Sequence, residues 1–297
     1  MIQRLKQCVS DWRNYVPTVS MGFNFFFLIL LFFWEYRNRG FSYNLHPKSS
    51  CYESVKFNDL SHIETCLEAD FLQRMSEYGE STLTHVVMPY HPRQENLVME
   101  NLKLWSSFRP CAKRTNVTFV FFPASAPNLD TELRLISAFR QMDQCFQDVA
   151  VKFADLGEWN DSYLMGTRLQ FEQLFDIPGA KTIFYMEPDA RPIRSLWLEQ
   201  LRMMSASSLE PFWVKGSIFR GKDLSGAFHP GTLYTPHNLL HINGNALYKV
   251  DDPAFRSFYF DIIRIIISAY EPSSAYDTDF AKVLVMRPQI WHLTQKH

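Results

Sequence analysis

The chain has 297 residues, of which 46% are hydrophobic and 21% charged, so it carries enough apolar material for a real core and is not a disordered chain. Its 30 Lys and Arg nearly balance 31 Asp and Glu, for a formal net charge of -1. That balance lacks the basic footprint of a nucleic-acid-binding protein.

Residues 1–20 are polar, with Arg4, Lys6 and Arg13 against Asp11, and read as a cytoplasmic tail. The run from Met21 to Trp34 holds no charge, and residues 21–36 read as a transmembrane signal anchor, with Val16 to Tyr36 supplying the length a bilayer needs. A cleaved signal peptide is disfavoured because the leader is long and no small-x-small site follows Trp34. Short, Phe-rich spans suit the thin membranes of the early secretory pathway. Residues 37–56 form a polar, turn-rich stem, and residues 57–297 are expected in the lumen of the Golgi or endoplasmic reticulum. Cys51, Cys66, Cys111 and Cys145 form an even set beyond the anchor, while Cys8 stays in the tail. Two disulfides in any of three pairings fit an oxidising compartment, and the absence of a Cys-x-x-Cys argues against zinc. Asn116-Val-Thr118 and Asn160-Asp-Ser162 match the N-glycosylation pattern.

Helical spacing runs over residues 57–78, and strands and helices alternate from there. Strand patterns fall at 84–89, 116–122, 150–154 and 182–186, each followed by a helical pattern, at 95–108, 131–145, 163–175 and 196–204. Four such units predict an α/β domain with a mainly parallel sheet, helices on both faces and right-handed crossovers. Residues 212–219 and 240–250 read as further strands around a Gly-, His- and Pro-rich loop at 221–236. Helices at 252–268, capped by Asp252 with Pro253 at its first position, and at 276–285 complete the pattern.

The stretch that carries chemistry is 181–192, KTIFYMEPDARP. Its β-branched and aromatic run stops at Pro188, which cannot donate to a sheet ladder, so Glu187 and Asp189 stand at a strand's C-terminal end. That edge is where open α/β sheets bind ligands. Two hard carboxylate ligands there can share Mg²⁺ or Mn²⁺ with substrate phosphates, although the same residues also suit a solvated turn or a helix cap.

A membrane-anchored luminal α/β domain with these acids after its fourth strand resembles the nucleotide-sugar glycosyltransferases of the GT-A fold. The resemblance rests on Glu187-Pro188-Asp189 at the place of the Asp-x-Asp motif, Ile242-Asn243-Gly244-Asn245 at the donor-facing glycine loop, Tyr276-Asp277-Thr278-Asp279 at the acidic xED-like segment, and His292 at the C-terminal metal histidine. It covers roughly residues 82–295, and Glu187 departs from the family's first Asp. The resemblance implies a nucleoside-diphosphate-sugar donor and a glycan or glycoprotein acceptor. It further implies a divalent cation on Glu187, Asp189 and His292, and acceptor deprotonation by Asp279, preferred, or Asp277, with inverting chemistry slightly favoured. Asn243, Gly244 and Asn245 are expected at the donor, and Lys215 and Arg220 at phosphate or an acidic acceptor. His85 and His91 flank the first strand, and Trp213, Trp291 and Tyr234 are aromatic candidates for stacking on a sugar or base. A catalytically inactive glycan- or partner-binding relative and a luminal sugar-nucleotide hydrolase are the competing functions. No Gly-x-Ser-x-Gly elbow, His-Glu-x-x-His or P-loop sequence occurs.

Overall fold

The computed structural model describes residues 80–142, 145–157, 160, 163–206, 211–218, 241–270 and 275–294. The chain divides into two compact units, Met1–Asp70 and Phe71–His297, and every described residue belongs to the second. The expected anchor at 21–36, the stem, the helix at 57–78, Cys8, Cys51 and Cys66, Arg220, Tyr234 and the loop at 221–236 lie outside the described residues. Among the described residues no helix is long and apolar enough to cross a membrane.

Six strands form one sheet: β1 (Leu83–Tyr90), β2 (Thr118–Pro123), β3 (Asp148–Val151), β4 (Thr182–Tyr185), β5 (Val214–Ile218) and β6 (Ile242–Lys249), in the order β3-β2-β1-β4-β6-β5. The first four pair in parallel, as their strand-helix alternation requires. β6 is antiparallel to both β4 and β5, so the sheet is mixed with one reversed strand. The helices are α1 (Glu95–Ser107), α2 (Leu129–Met142), α3 (Tyr163–Glu172), α4 (Trp197–Met204), α5 (Pro253–Ser257), α6 (Arg264–Tyr270) and α7 (Tyr276–Met286).

Strand periodicity divides the apolar residues between two cores. Val86, Met88, Phe119, Phe121 and Leu247 face one side, with Val98, Leu102 and Trp105 of α1, Leu135 and Phe139 of α2, and Leu198 of α4. Val87, Val120, Phe122, Ile183, Tyr185, Ala246 and Tyr248 face the other, with Phe171 of α3, Phe255 of α5, Ile267 of α6, and Tyr276 and Val283 of α7. Successive residues change sides, so a one-residue slip would exchange the two cores.

The predicted long helix at 252–268 is broken by a π-turn, Phe258–Ile263, between α5 and α6. The wider turn lets the adjacent Phe258 and Tyr259, together with Ile263, all be buried, which a regular 3.6-residue period resists. Its start is as expected: Asp252 accepts from the N–H groups of Ala254 and Phe255, with Pro253 at the first position. Of the three disulfide pairings left open, the structure contains Cys111–Cys145, joining the segment after α1 to the one before β3.

Candidate active site

The strand order reverses between β1 and β4, because β1 leads to β2 on one side while β3 crosses back to β4 on the other. A crevice forms beyond the carboxyl ends of strands at such a point. A cleft of about 670 Å³ lies there, lined by Pro89, Tyr90, His91 and Arg93 from the end of β1, by Gln170 from α3, and by Glu187, Pro188 and Asp189 from the end of β4. Gln94 and Leu97 from the start of α1, Thr167 of α3, Tyr185 of β4 and Tyr276 of α7 complete the lining.

Glu187 is fixed by the neighbouring strand. Its N–H donates to Asn245 Oδ1 at 2.8 Å, and the Asn245 amide donates back to Glu187 Oε2 at 2.7 Å. Asn243 Oδ1 accepts from the Asn245 N–H at 3.1 Å and from its side-chain amide at 3.0 Å. Both ends of the Asn245 amide are therefore engaged within the protein. Gly244 lies between these asparagines, and a Cβ on it would stand 2.3 Å from the Tyr276 hydroxyl and 2.9 Å from Glu187 Oε1. The glycine expected to admit a donor thus admits the chain's own Tyr276 and Glu187, and none of Asn243, Gly244 and Asn245 is among the cleft-lining residues.

The acids repel one another at this edge. Burial, then the charges of Asp189 and Asp277, push the Glu187 carboxyl above its usual range, and the Asn245 hydrogen bond only partly offsets this. Burial also raises Asp277, while His241, whose Nε2 lies 3.7 Å from Asp277 Oδ2, and the N–H groups of Thr278, Asp277 and Gly244 pull it back. Tyr185, Tyr248 and Tyr276 are fully enclosed nearby, and burial holds all three phenols well above their usual range, so they stay neutral donors.

The two acids expected as alternative bases separate sharply. Residues two apart on a helix point to nearly opposite sides. Asp277 turns toward Glu187 and His241, whereas Asp279 is fully buried, and its charge acts on the buried Tyr259 phenol. Neither acid lines the cleft: Asp277 stands beside Glu187, which does, and Asp279 lies in the core. Lys215 packs at the end of α4: its ammonium donates to the Met204 carbonyl at 3.0 Å and lies over the Phe212 ring, and it is not among the cleft-lining residues. His292 is exposed in a final 3-10 turn, Pro288–Leu293, with Nδ1 2.8 Å from the Gln289 carbonyl oxygen, and does not line the cleft.

Other candidates have structural work. His91 caps the turn before α1, its Nδ1 accepting from the Arg93 N–H at 3.1 Å, and it still lines the cleft. Half-buried His85 places Nδ1 2.9 Å from Thr84 Oγ1. Trp213 is buried and stacked on Phe255, and Trp291 donates to the Leu284 carbonyl. Arg93, Gln94, Thr167 and Gln170 went unnoticed in the sequence. The available signal was the 91–95 run HPRQE, a capping segment directly after a strand that ends at a ligand-binding edge.

A hard cation is ordinarily held by one or two carboxylates together with substrate phosphates and waters. Exposed Asp189 and the Glu187 oxygen not held by Asn245 fit that requirement. Among the described residues no group of three His, Cys, Asp or Glu side chains could hold a metal ion by itself.

No protein-family profile matches the chain, and no curated protein matches it. Solved structures do. A galactosyltransferase, LgtC, solved with donor and acceptor sugar analogs, is 13% identical over 68% of this chain and 70% of its own, with a TM-score of 0.43. Mouse xyloside xylosyltransferase 1 is 12% identical over 69% of this chain and 82% of its own, with a TM-score of 0.44. The glycosyltransferase GlyE of Streptococcus pneumoniae is 9% identical over 70% of this chain, with a TM-score of 0.39, and this chain spans 43% of its length.

Proposed function

We propose that the protein is a glycosyltransferase that moves a sugar from a nucleoside-diphosphate donor to a glycan or glycoprotein acceptor. The observation that carries this reading is the cleft at the reversal point of the sheet, with Glu187 and Asp189 on its wall and Asp277 behind them. A sugar leaving its diphosphate builds negative charge on the phosphate, and a divalent cation held by Asp189 and Glu187 would supply the opposing charge when bound. Asp189 faces the cleft and solvent, so it carries most of that role; Glu187 is the fixed wall beside it. Asp277 is the acid suited to accept the acceptor hydroxyl's proton, held by His241 and the Gly244 N–H. Inverting stereochemistry follows from that assignment. The reading includes a single-pass type II anchor at 21–36 and a Golgi or endoplasmic reticulum lumen, supported by the Cys111–Cys145 disulfide and the exposed sequon residue Asn160.

The test is donor hydrolysis and transfer by the full chain in detergent against UDP- and GDP-sugars, with and without Mn²⁺. Turnover of one donor is expected, lowered by about a hundredfold or more in Asp189→Ala and in Asp277→Asn, the latter with donor binding retained. Donor loss that ignores every acceptor would favour the hydrolase. A folded protein that binds no donor would leave the inactive binding relative.

A further inference from the structure

The chain after Asp189 is a strap fastened at four points. The amide of Asn101 donates to the Pro188 carbonyl, and Trp105 Nε1 to the Ala190 carbonyl at 3.3 Å. Further on, the N–H groups of Leu196 and Leu198 donate to the carbonyls of Arg109 and Pro110 at 2.6 and 3.0 Å. The segment 109–114 is itself stapled by Cys111 to Cys145. The hydrogen bonds bring two short segments side by side, and their charges are one-sided: Arg109, Lys113 and Arg114 on one, Arg191 and Arg194 on the other, with Asp189 their lone acid. In a chain of net charge -1, five cations against one acid is a local concentration.

Arg109 aside, these cations make no ion pair with the described residues. Lys113 and Arg191 are exposed and make no hydrogen bond or ion pair with the described residues. Arg194 meets only the neutral Gln200 amide at 2.9 Å, and Arg114 only the carbonyls of Phe146 and Gln147. Ile193 stands between Arg191 and Arg194 with 91% of its surface exposed, the most exposed large apolar side chain described. The face of α1 that holds the strap, Asn101 and Trp105, continues at helical spacing through Leu97 to Arg93, both on the cleft wall. A row thus leads from Arg93 at the cleft, past Asp189, to the cations of the strap.

We infer that this row is a binding track for an acidic acceptor: a glycan chain bearing carboxylate or sulfate groups, lying along the strap with its acceptor end at Asp189. The inference rests on the glycosyl-transfer reading for the identity of the entering chain as a glycan. Guanidinium groups match carboxylate and sulfate oxygens as a fork, and a fixed strap loses little freedom on binding. Ile193 offers an apolar contact to sugar ring faces between the charges.

The experiment measures binding of fluorescently labelled oligosaccharides to the full chain in detergent, without donor. The probes are a heparin-derived octasaccharide, an oligogalacturonate of equal length as the carboxylate-only arm, and neutral maltooctaose. The acidic probes are expected to bind roughly tenfold or more tighter than the neutral one, with affinity falling as salt is raised. The triple variant Lys113→Ala, Arg191→Ala, Arg194→Ala is expected to lose roughly tenfold, since each exposed pair contributes little alone. Lys249→Ala, paired with Asp251 at the opposite edge of the sheet, is expected to bind as wild type. The triple variant's donor hydrolysis and melting temperature are expected to match wild type, which separates the track from the cleft. Equal affinity for neutral and acidic probes, or unchanged binding in the triple variant, would overturn the inference. Donor turnover is scored separately, so its absence would count against glycosyl transfer whatever the probes do.

Discussion

Glu187 shows what one methylene does. A shorter Asp at this position would place its carboxylate nearer its own strand, whereas Glu reaches Asn245 on β6 and is gripped from both backbone and side chain. The grip keeps a carboxyl in a crowded, buried place where its folded pKa lies above the ordinary 4.5. The sign of its effect on stability follows directly. Because the folded state holds this proton more tightly than the unfolded chain, the penalty is absent below about pH 4.5 and grows as pH rises through the raised value. Glu187→Gln keeps an oxygen for the Asn245 amide and removes the charge, so it is expected to melt higher than wild type at about pH 8 in chelator. The gain should vanish near pH 4.5; a gain independent of pH would show that the carboxyl carries no such strain. The sequence revealed Glu187 and Asp189 because a strand ending at a proline is a local signal. It could not reveal that Asn245 is spent on Glu187, since the two lie 58 residues apart and meet only through β4–β6 pairing. The choice between Asp277 and Asp279 was hidden for the same reason: the start of α7 says they face apart, and packing against Tyr259 decides which is buried.

Among the elements, α1 does the most to position the site. The turn that leads into it brings His91, Arg93 and Gln94 to the cleft, its middle holds the strap after β4, and the segment beyond it is tied by Cys111–Cys145 to the residues before β3. That bond closes a loop of 34 residues across α2 and β2. Replacing both cysteines by serine is expected to cost about 2–4 kcal/mol. Thermal melts with and without reductant check this: reductant should lower the wild type toward the double variant and move the variant less. Element types were legible because each strand or helix carries its own period, and all six strands fall within a few residues of their predicted places. The π-turn was not, because the sequence around Phe258 repeats like an ordinary amphipathic helix and only the need to bury two adjacent aromatics widens it. The one reversed strand was equally hidden, since direction depends on where β6 inserts.

The unit that holds the described residues is two cores joined through one sheet, and helices far apart in sequence are locked by charge as well as by apolar contact. Glu172 of α3 pairs with Arg264 of α6 at 2.7 Å and with Arg168 at 3.6 Å, and Tyr259 lies 3.4 Å from the same oxygen. Removing that carboxylate by Glu172→Ala takes from the largely buried Arg264 guanidinium its 2.7 Å partner, and a loss of about 3 kcal/mol is expected in urea denaturation. A loss under about 0.5 kcal/mol would mean that the arginine finds water instead. By itself the sequence determined the α/β class, the succession of strands and helices, and the acidic strand end at which a ligand is expected, because periodicity, proline and carboxylate chemistry are properties of neighbouring residues. Tertiary structure alone decided that the cleft opens between β1 and β4, that Asp277 stands beside Glu187 while Asp279 is buried, that Lys215 packs against the end of α4 and His292 stays off the cleft wall, and that two basic loops meet beyond Asp189. Each of these depends on contacts between residues distant in the chain, whose relative placement is set by strand order and packing, and no local pattern encodes those.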